Sequence, residues 1–362
     1  MERGIAMDIG RIDRNLAVAT ALEEKDIVFH SVRQEPFRIY GLYNPRTEPV
    51  FCRLPQTVAE ATSPNVAALH TNTAGGRVRF STDSPYVAIK TVMPSVCRFP
   101  HMPLCGTSGF DLYEERDTGS VYAGTFKPPV EMTDGYESIL YRKDTGKRDF
   151  TINFPLYNDV SELYIGVKEG AALAAAGEYR FQKPVLYYGS SITQGGCASR
   201  PGNSYEAILS RRFGCDYLNF GFSGSAKGEP ALIEYLAGLE FGIFVCDYDH
   251  NAPTPDHLQN THRQLYETIR AAKPEVPVIL VSKPDFDPDS ETDIERRGIV
   301  YATYQAAVWN GDKNIAFVDG ASLFAGEGHD GCTVDGVHPN DLGFYRMADR
   351  IGLEVGRVLR KR

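Results

Sequence analysis

Positive charge, paired cysteines and long apolar runs are all scarce in this chain. Its 362 residues carry 38 Lys or Arg against 47 Asp or Glu, a formal net charge of −9. That balance argues against a nucleic-acid or anionic-membrane partner. The N-terminus MERGIAMDIGRIDRN lacks the apolar segment of a secretory leader, and no later stretch approaches the roughly 20 apolar residues of a membrane span. A cytoplasmic protein is expected, or a secreted one if a leader has been trimmed away. Seven cysteines (52, 97, 105, 197, 215, 246 and 332) are scattered, with no CxxC pair and no metal-ligand spacing. Reduced, mostly buried thiols are therefore expected, with no metal and no cofactor. The acidic run DFDPDSETD places Asp285, Asp287, Asp289, Glu291 and Asp293 like the first ligands of a calcium loop. Ser290 then replaces the glycine of the sharp turn and Arg296 the closing glutamate, so a solvated acidic loop is the better reading. The single tryptophan, Trp309, ends a helical pattern and is assigned to packing.

What is present divides in two, as the length allows. Residues 1–170 hold short β-rich runs between turn residues: IVFHSV, FRIYGLY, VAALHTN, RVRFS, PYVAIKTVM, GFDLYEE, SVYAGTF, ESILYRK, DFTINFP and ELYIGVK. Such spacing predicts an all-β sandwich or jelly roll. Residues 171–183 read as a linker with at most a helical turn. Residues 184–362 alternate apolar strands (PVLYYG, DYLNFGF, FGIFVCDYD, VPVILVS, NIAFVDG) with helical segments, which predicts an α/β fold with a parallel sheet. Asn203 with Glu206 looks like a capping box for the first of these helices, and Gly214 suits its end.

The chemistry gathers where these strands end. YGSSITQG, Tyr188 to Gly195, puts Ser191 at the tip of the first strand. Far downstream DGVHP holds Asp335 and His338 three residues apart, with Pro339 suited to the first turn of the final helix. A serine hydroxyl needs an imidazole to take its proton and a carboxylate to orient that imidazole, and these residues supply all three. Gly224 (NFGFSG) and Asn251 (CDYDHN) fall after the second and third strands, on the same predicted rim. The N–H groups of Ser191 and Gly224 and the Asn251 amide are candidate oxyanion donors. Gln194, Arg200, Asn203 and His250 lie close enough in sequence to be candidate substrate contacts. Asp319 is read as a turn residue, and Cys197, without a histidine partner of its own, as structural.

The ordered blocks GSSITQG, NFGFSG, DHN and DGVHP resemble the SGNH (GDSL-type) hydrolase superfamily over about residues 184–362. GFDLY, Gly109 to Tyr113, resembles the GxDLY domain that precedes one branch of these esterases. The resemblance implies a flavodoxin-like three-layer α/β/α domain with a serine-dependent, metal-free ester site. Two positions depart from the pattern: Ser190 stands where an aspartate is usual, and Asp249, His250, Asn251, Ala252 replace the usual GxND.

The expected activity is carboxyl-ester hydrolysis, with a small-molecule or oligosaccharide ester as the partner and a carbohydrate acetyl group as the favoured example. An acyltransferase to a sugar or metabolite hydroxyl would use the same triad. A catalytically inert carbohydrate-binding protein is the reading from another class. The β-rich half would then shape the pocket, bind a glycan or build a homo-oligomer. The α/β-hydrolase fold expects G-x-S-x-G, whereas Thr193 stands two residues after Ser191 here.

Overall fold

The computed structural model describes residues 12–13, 17–18, 21–284 and 287–361. Its first half contains β1 (Ile27–Ser31), β2 (Arg38–Tyr40), α1 (Gln56–Thr62), α2 (Pro64–Leu69), β3 (Arg77–Thr82), β4 (Tyr86–Val92), α3 (Leu104–Thr107), β5 (Phe110–Arg116), β6 (Gly119–Phe126), β7 (Gly135–Tyr141), β8 (Arg148–Asn153), β9 (Glu162–Lys168) and β10 (Leu173–Ala174). The strands form two antiparallel sheets, β1-β9-β4-β7 and β10-β3-β8-β5-β6, with β2 also beside β3. Phe80, Ile89, Leu112, Phe150 and Ile165 meet between them in one apolar core, as facing strands of period two require.

The second half follows as β11 (Phe181–Gly189), α4 (Ser191–Gln194), α5 (Tyr205–Phe213), β12 (Cys215–Gly221), α6 (Pro230–Gly238), β13 (Ile243–Asp247), α7 (Pro255–Ala272), β14 (Val278–Val281), α8 (Glu291–Trp309), β15 (Ile315–Val318) and α9 (Asp341–Leu359). Its sheet is parallel, in the order β12-β11-β13-β14-β15. Both faces are covered. Val185, Tyr187 and Val245 pack under Leu209, Phe344 and Ile351 on one side; Leu186, Phe244 and Leu280 pack under Leu236, Leu265 and Val300 on the other. This is the flavodoxin-like order, whose switch point lies between β11 and β13, where a ligand crevice opens beyond the strand ends.

Several local expectations are corrected. VAALHTN is not a strand: Ser63 caps α2 by accepting from the Val66 N–H at 3.2 Å, and Pro64 occupies its first turn. The Ser-Pro start outweighs the β-branched valine. The cap of α5 is Ser204 rather than Asn203, because Pro201–Asn203 first makes a 3₁₀ turn; Gly214, at φ 66°, ends the helix as expected. The 171–183 stretch is extended, with β10 paired to β3 and β11 already begun at Phe181. Pro339 sits before α9, bridged to Thr333, and Asn340 is the cap. Trp309 does not pack, being 90% exposed. Asp285 lies outside the described residues; Ser290 caps α8, and Asp293 in its first turn pairs with Lys283 at 2.6 Å. Asp319 is a turn cap that also pairs with Arg297. The seven cysteines are free thiols.

The two halves clasp each other through buried polar groups. Arg77, on β3, forms an ion pair with Asp216 and donates to the Tyr217 carbonyl at 3.0 Å, its guanidinium 3.8 Å from the Tyr217 ring. Arg53 donates to the Gly221 carbonyl at 2.5 Å and to Leu69 at 2.8 Å. Removing one partner of a buried pair strands the other charge. Arg77→Met is expected to lower stability by about 3 kcal/mol, toward the lower end of what such removals cost because Asp216 keeps some solvent. Denaturant midpoints measure it, and a loss below about 1 kcal/mol would make the pair dispensable.

Candidate active site

β11 ends in glycine, and the reason is space. A Cβ on Gly189 would collide with Thr193 Oγ1 and the Asp247 carbonyl, and one on Gly221 with the Gln194 backbone. Two strand ends therefore close against one helical turn, α4, which begins at Ser191. Ser190 caps it: its Oγ accepts from the Ile192 N–H at 3.1 Å, while its own N–H donates to the Asp247 carbonyl at 3.1 Å. Serine thus fills by capping the position where the related pattern has aspartate. As first residue of the turn, Ser191 has a backbone N–H without an intrahelical partner.

Ser191 Oγ lies 3.0 Å from His338 Nε2, and His338 Nδ1 lies 2.7 Å from Asp335 Oδ2. The acidic partner is positioned by its own turn. Asp335 Oδ1 accepts from the backbone N–H groups of His338 at 2.8 Å and Val337 at 3.1 Å. Partial burial alone would raise the Asp335 carboxyl, but those N–H groups and the His338 ring outweigh it and hold its pKa at about 2. A carboxylate at Oδ2 requires the proton on Nδ1, which leaves Nε2 free to accept from the serine.

The oxyanion candidates come together at the switch point. The turn after β12 puts Gly224 at φ 64°, with the Phe222 carbonyl accepting from the Ser225 N–H at 2.9 Å. Asn251 Nδ2 donates to that same carbonyl at 2.9 Å, which fastens its amide beside the glycine turn. Its loop rests on buried Asp249, which accepts from the Lys283 N–H at 2.9 Å and is pushed up to about 6 by burial. Beneath α4, Asp247 is fully buried and its pKa is driven well up, again by burial.

The four candidate substrate contacts fare differently. Gln194 is fully buried: it accepts from the Ser223 N–H at 3.0 Å and donates to Asn72 and the Leu156 carbonyl, each at 3.2 Å. It is a strut between the halves, because its helical turn aims it inward. Arg200 is committed to Asp111 at 2.9 Å and to Tyr113, which also gives the aspartate of GFDLY its role as an anchor for the other half. Asn203 donates to Ser199 Oγ at 3.2 Å, and Ser199 in turn bonds Asp341 at the start of α9. All three side chains are bonded to other parts of the protein. His250 remains a candidate, its Nε2 buried without a partner among the described residues. Burial, then nearby Lys283, pushes its pKa down to about 3.

Sequence reasoning missed the β-sandwich's contribution to the rim. Tyr157 donates to the Ser191 carbonyl at 3.4 Å, Phe99 packs edge-on against Tyr157 at 5.2 Å, and the His101 ring lies 5.9 Å from that of His338. Nothing local in FPHMP signals this. A cavity of about 250 Å³ lined by Val278, Ile315 and Val358 lies at the opposite end of the sheet, where β14 and β15 begin, and has no part in this site.

The family that its second half matches places the chain among hydrolases of ester bonds. Residues 182–355 match the GDSL-like lipase/acylhydrolase family, and residues 27–173 match the N-terminal domain of SGNH-hydrolase-type esterases. The chain belongs to this family, in the branch that carries the GxDLY domain. No curated protein matches it in sequence. Among solved structures, a protein from Bacteroides ovatus named for its likeness to GDSL lipases is 28% identical, with a TM-score of 0.83 over 92% of this chain and 98% of that one. The salicylyl-acyltransferase SsfX3 of a tetracycline biosynthetic pathway is 18% identical, with a TM-score of 0.75 over the same shares. A family two carbohydrate esterase from Cellvibrio japonicus shares the fold at 10% identity, with a TM-score of 0.59, again over 92% and 98%. Among the described residues no helix is long and apolar enough to cross a membrane.

Proposed function

We propose that the chain is a serine esterase that works through an acyl-enzyme and removes a short acyl group from a hydroxylated small molecule or oligosaccharide. The observation that carries this is the Ser191–His338–Asp335 relay, at 3.0 and 2.7 Å, standing on the switch-point rim. Ser191 Oγ attacks the ester carbonyl carbon while its proton passes to His338 Nε2. Negative charge moves to the carbonyl oxygen, where the N–H groups of Ser191 and Gly224 and the free N–H of the Asn251 amide receive it. Collapse of the tetrahedral adduct breaks the ester C–O bond, and the Nε2 proton leaves with the alkoxide. Water, deprotonated by the same nitrogen, then attacks the acyl-serine; the acyl C–Oγ bond breaks, the acyl group leaves as a carboxylic acid, and the Nε2 proton returns to Ser191 Oγ. Asp335 keeps Nδ1 protonated throughout and steadies the imidazolium.

Two features support a short acyl group and a polar alcohol. Ser191 is only 8% exposed, and Gly196 beside it has no room for a Cβ without pressing on the Ser191 carbonyl, Tyr157 and His338. The mouth of the site presents exposed Gly224 and His101 and half-buried Asn251, with Val337 beside His338 as an exposed apolar neighbour.

p-Nitrophenyl esters of graded chain length and acetylated oligosaccharides, assayed side by side with and without added alcohols, test the reading. A burst of nitrophenol with acetate preferred, and acetate released from the oligosaccharide, is expected. An acyl ester of the added alcohol as main product would make the enzyme an acyltransferase. Calorimetric binding of oligosaccharide with no turnover would overturn the catalytic reading.

A further inference from the structure

Cys197 has no part in the ester chemistry, yet it does not stand alone. Its Sγ, one ring nitrogen of His101 and one ring nitrogen of His338 all lie within 4.8 Å of one another. They arrive from three loops: His101 from the exposed β-sandwich segment before α3, Cys197 from the turn after α4, and His338 from the turn before α9. Cys197 is 4% exposed and held at φ 72°, a left-handed conformation uncommon for a residue with a side chain.

We propose that His101, Cys197 and His338 form an inhibitory site for a zinc-class divalent cation. Two imidazoles and a thiolate are the ligand types such a cation prefers, and a fourth position remains for water. Bond lengths of about 2.0–2.3 Å at tetrahedral angles put ligand atoms roughly 3.3–3.6 Å apart. The present cluster must therefore tighten by up to about 1.5 Å, which the exposed turn carrying His101, between the bridged Phe99 and Met102, is placed to do. On binding, the thiol proton is released to solvent as the sulfur–metal bond forms, and both imidazoles donate as neutral rings. Either nitrogen of His338 gives the same outcome. Capture of Nε2 removes the acceptor of the Ser191 proton; capture of Nδ1 displaces Asp335. The cation would also tie the β-sandwich to the α/β half across the mouth of the site.

Loss of activity as the readout rests on the esterase reading above, so binding is measured separately. Zinc chloride is titrated into the chelator-treated full chain by calorimetry, into Ser191→Ala as well, and into an esterase assay. One zinc per chain, inhibition reversed by chelator, and a thiolate-to-cobalt charge-transfer band with cobalt(II) are expected. His101→Ala and Cys197→Ser should each weaken zinc binding about 100-fold, at least what loss of an outer-shell partner costs a metal site. Inhibition is scored as the ratio of activities with and without zinc for each variant, so any change in basal rate cancels, and thermal melts establish that the variants fold. Zinc affinity undiminished from the parent's in either variant, or no cobalt–thiolate band, would overturn the proposal. Zinc bound through Cys197 by a chain without esterase activity would keep it and defeat the catalytic reading alone.

Discussion

Ser191→Ala is expected to lower kcat for p-nitrophenyl acetate by about 10⁶-fold, the cost of deleting a serine nucleophile that acts as a unit with its histidine. Substrate binding should change little, because Ser191 Oγ has His338 as its hydrogen-bond partner and the turn is fixed by Ser190 and by backbone bonds to the Ser191 carbonyl. The nitrophenol burst should vanish with the steady-state rate. A remnant of about 10³–10⁴ over water is expected from the oxyanion donors and binding alone. Steady-state and rapid-mixing assays measure both, with a thermal melt to show the fold intact. A variant within tenfold of the parent would remove Ser191 from the chemistry.

Asp335→Asn is the second large effect, about 10⁴-fold in kcat. Oδ1 of Asp335 is occupied by the N–H groups of Val337 and His338, so in the variant the amide oxygen keeps those bonds and the amide nitrogen faces His338 Nδ1. Two donors cannot share that contact, so the ring proton moves to Nε2 and the acceptor for Ser191 is lost. The pH dependence follows from the depressed carboxyl. With the folded pKa near 2 and the unfolded value near 3.8, Asp335 stabilises the fold above about pH 4, and this contribution fades as pH falls toward 2. The carboxylate therefore stays charged across the working range, so Asp335 itself adds no titration to the parent's rate between about pH 5 and pH 8. Rate profiles of both proteins check this; a loss confined to one end would assign the titration to another group.

Much of this site is local in the chain, and that is why it was legible. Asp335 and His338 meet because one Asx turn spans them, and Ser191 stands at the tip of an apolar strand. Gly224 and Asn251 follow from the rule that parallel strands end on a common rim. Direction was less legible than position. Gln194, Arg200 and Asn203 lie next to the nucleophile in sequence, but the turn of α4 and the 3₁₀ turn after it aim them at the other half or at α9. His101 and Tyr157 reach the rim from a different sheet, and no spacing in one strand encodes that. The helices α1 and α2 were hidden, α1 because it starts after Pro55 with no side-chain cap, and α2 because Val66 and the alanines beside it fit a strand as well as a helix until Ser63-Pro64 is read as a start signal.

Those two helices matter beyond their own assignment. Leu54, Ala59 and Val66 are buried with Leu186, Phe220 and Leu236, inside the second half's core although they belong to the first half's sequence. The exchange means that the halves are not modules in the sense of units that can be cut and shuffled. A chain cleaved between 171 and 183 would remain one particle, and an α/β half made alone would show water a bare apolar face where this hairpin belongs. Evolution can vary the rim that the β-sandwich presents, but only by altering loops in place, since the whole accessory half cannot be exchanged without repacking the core that carries the serine.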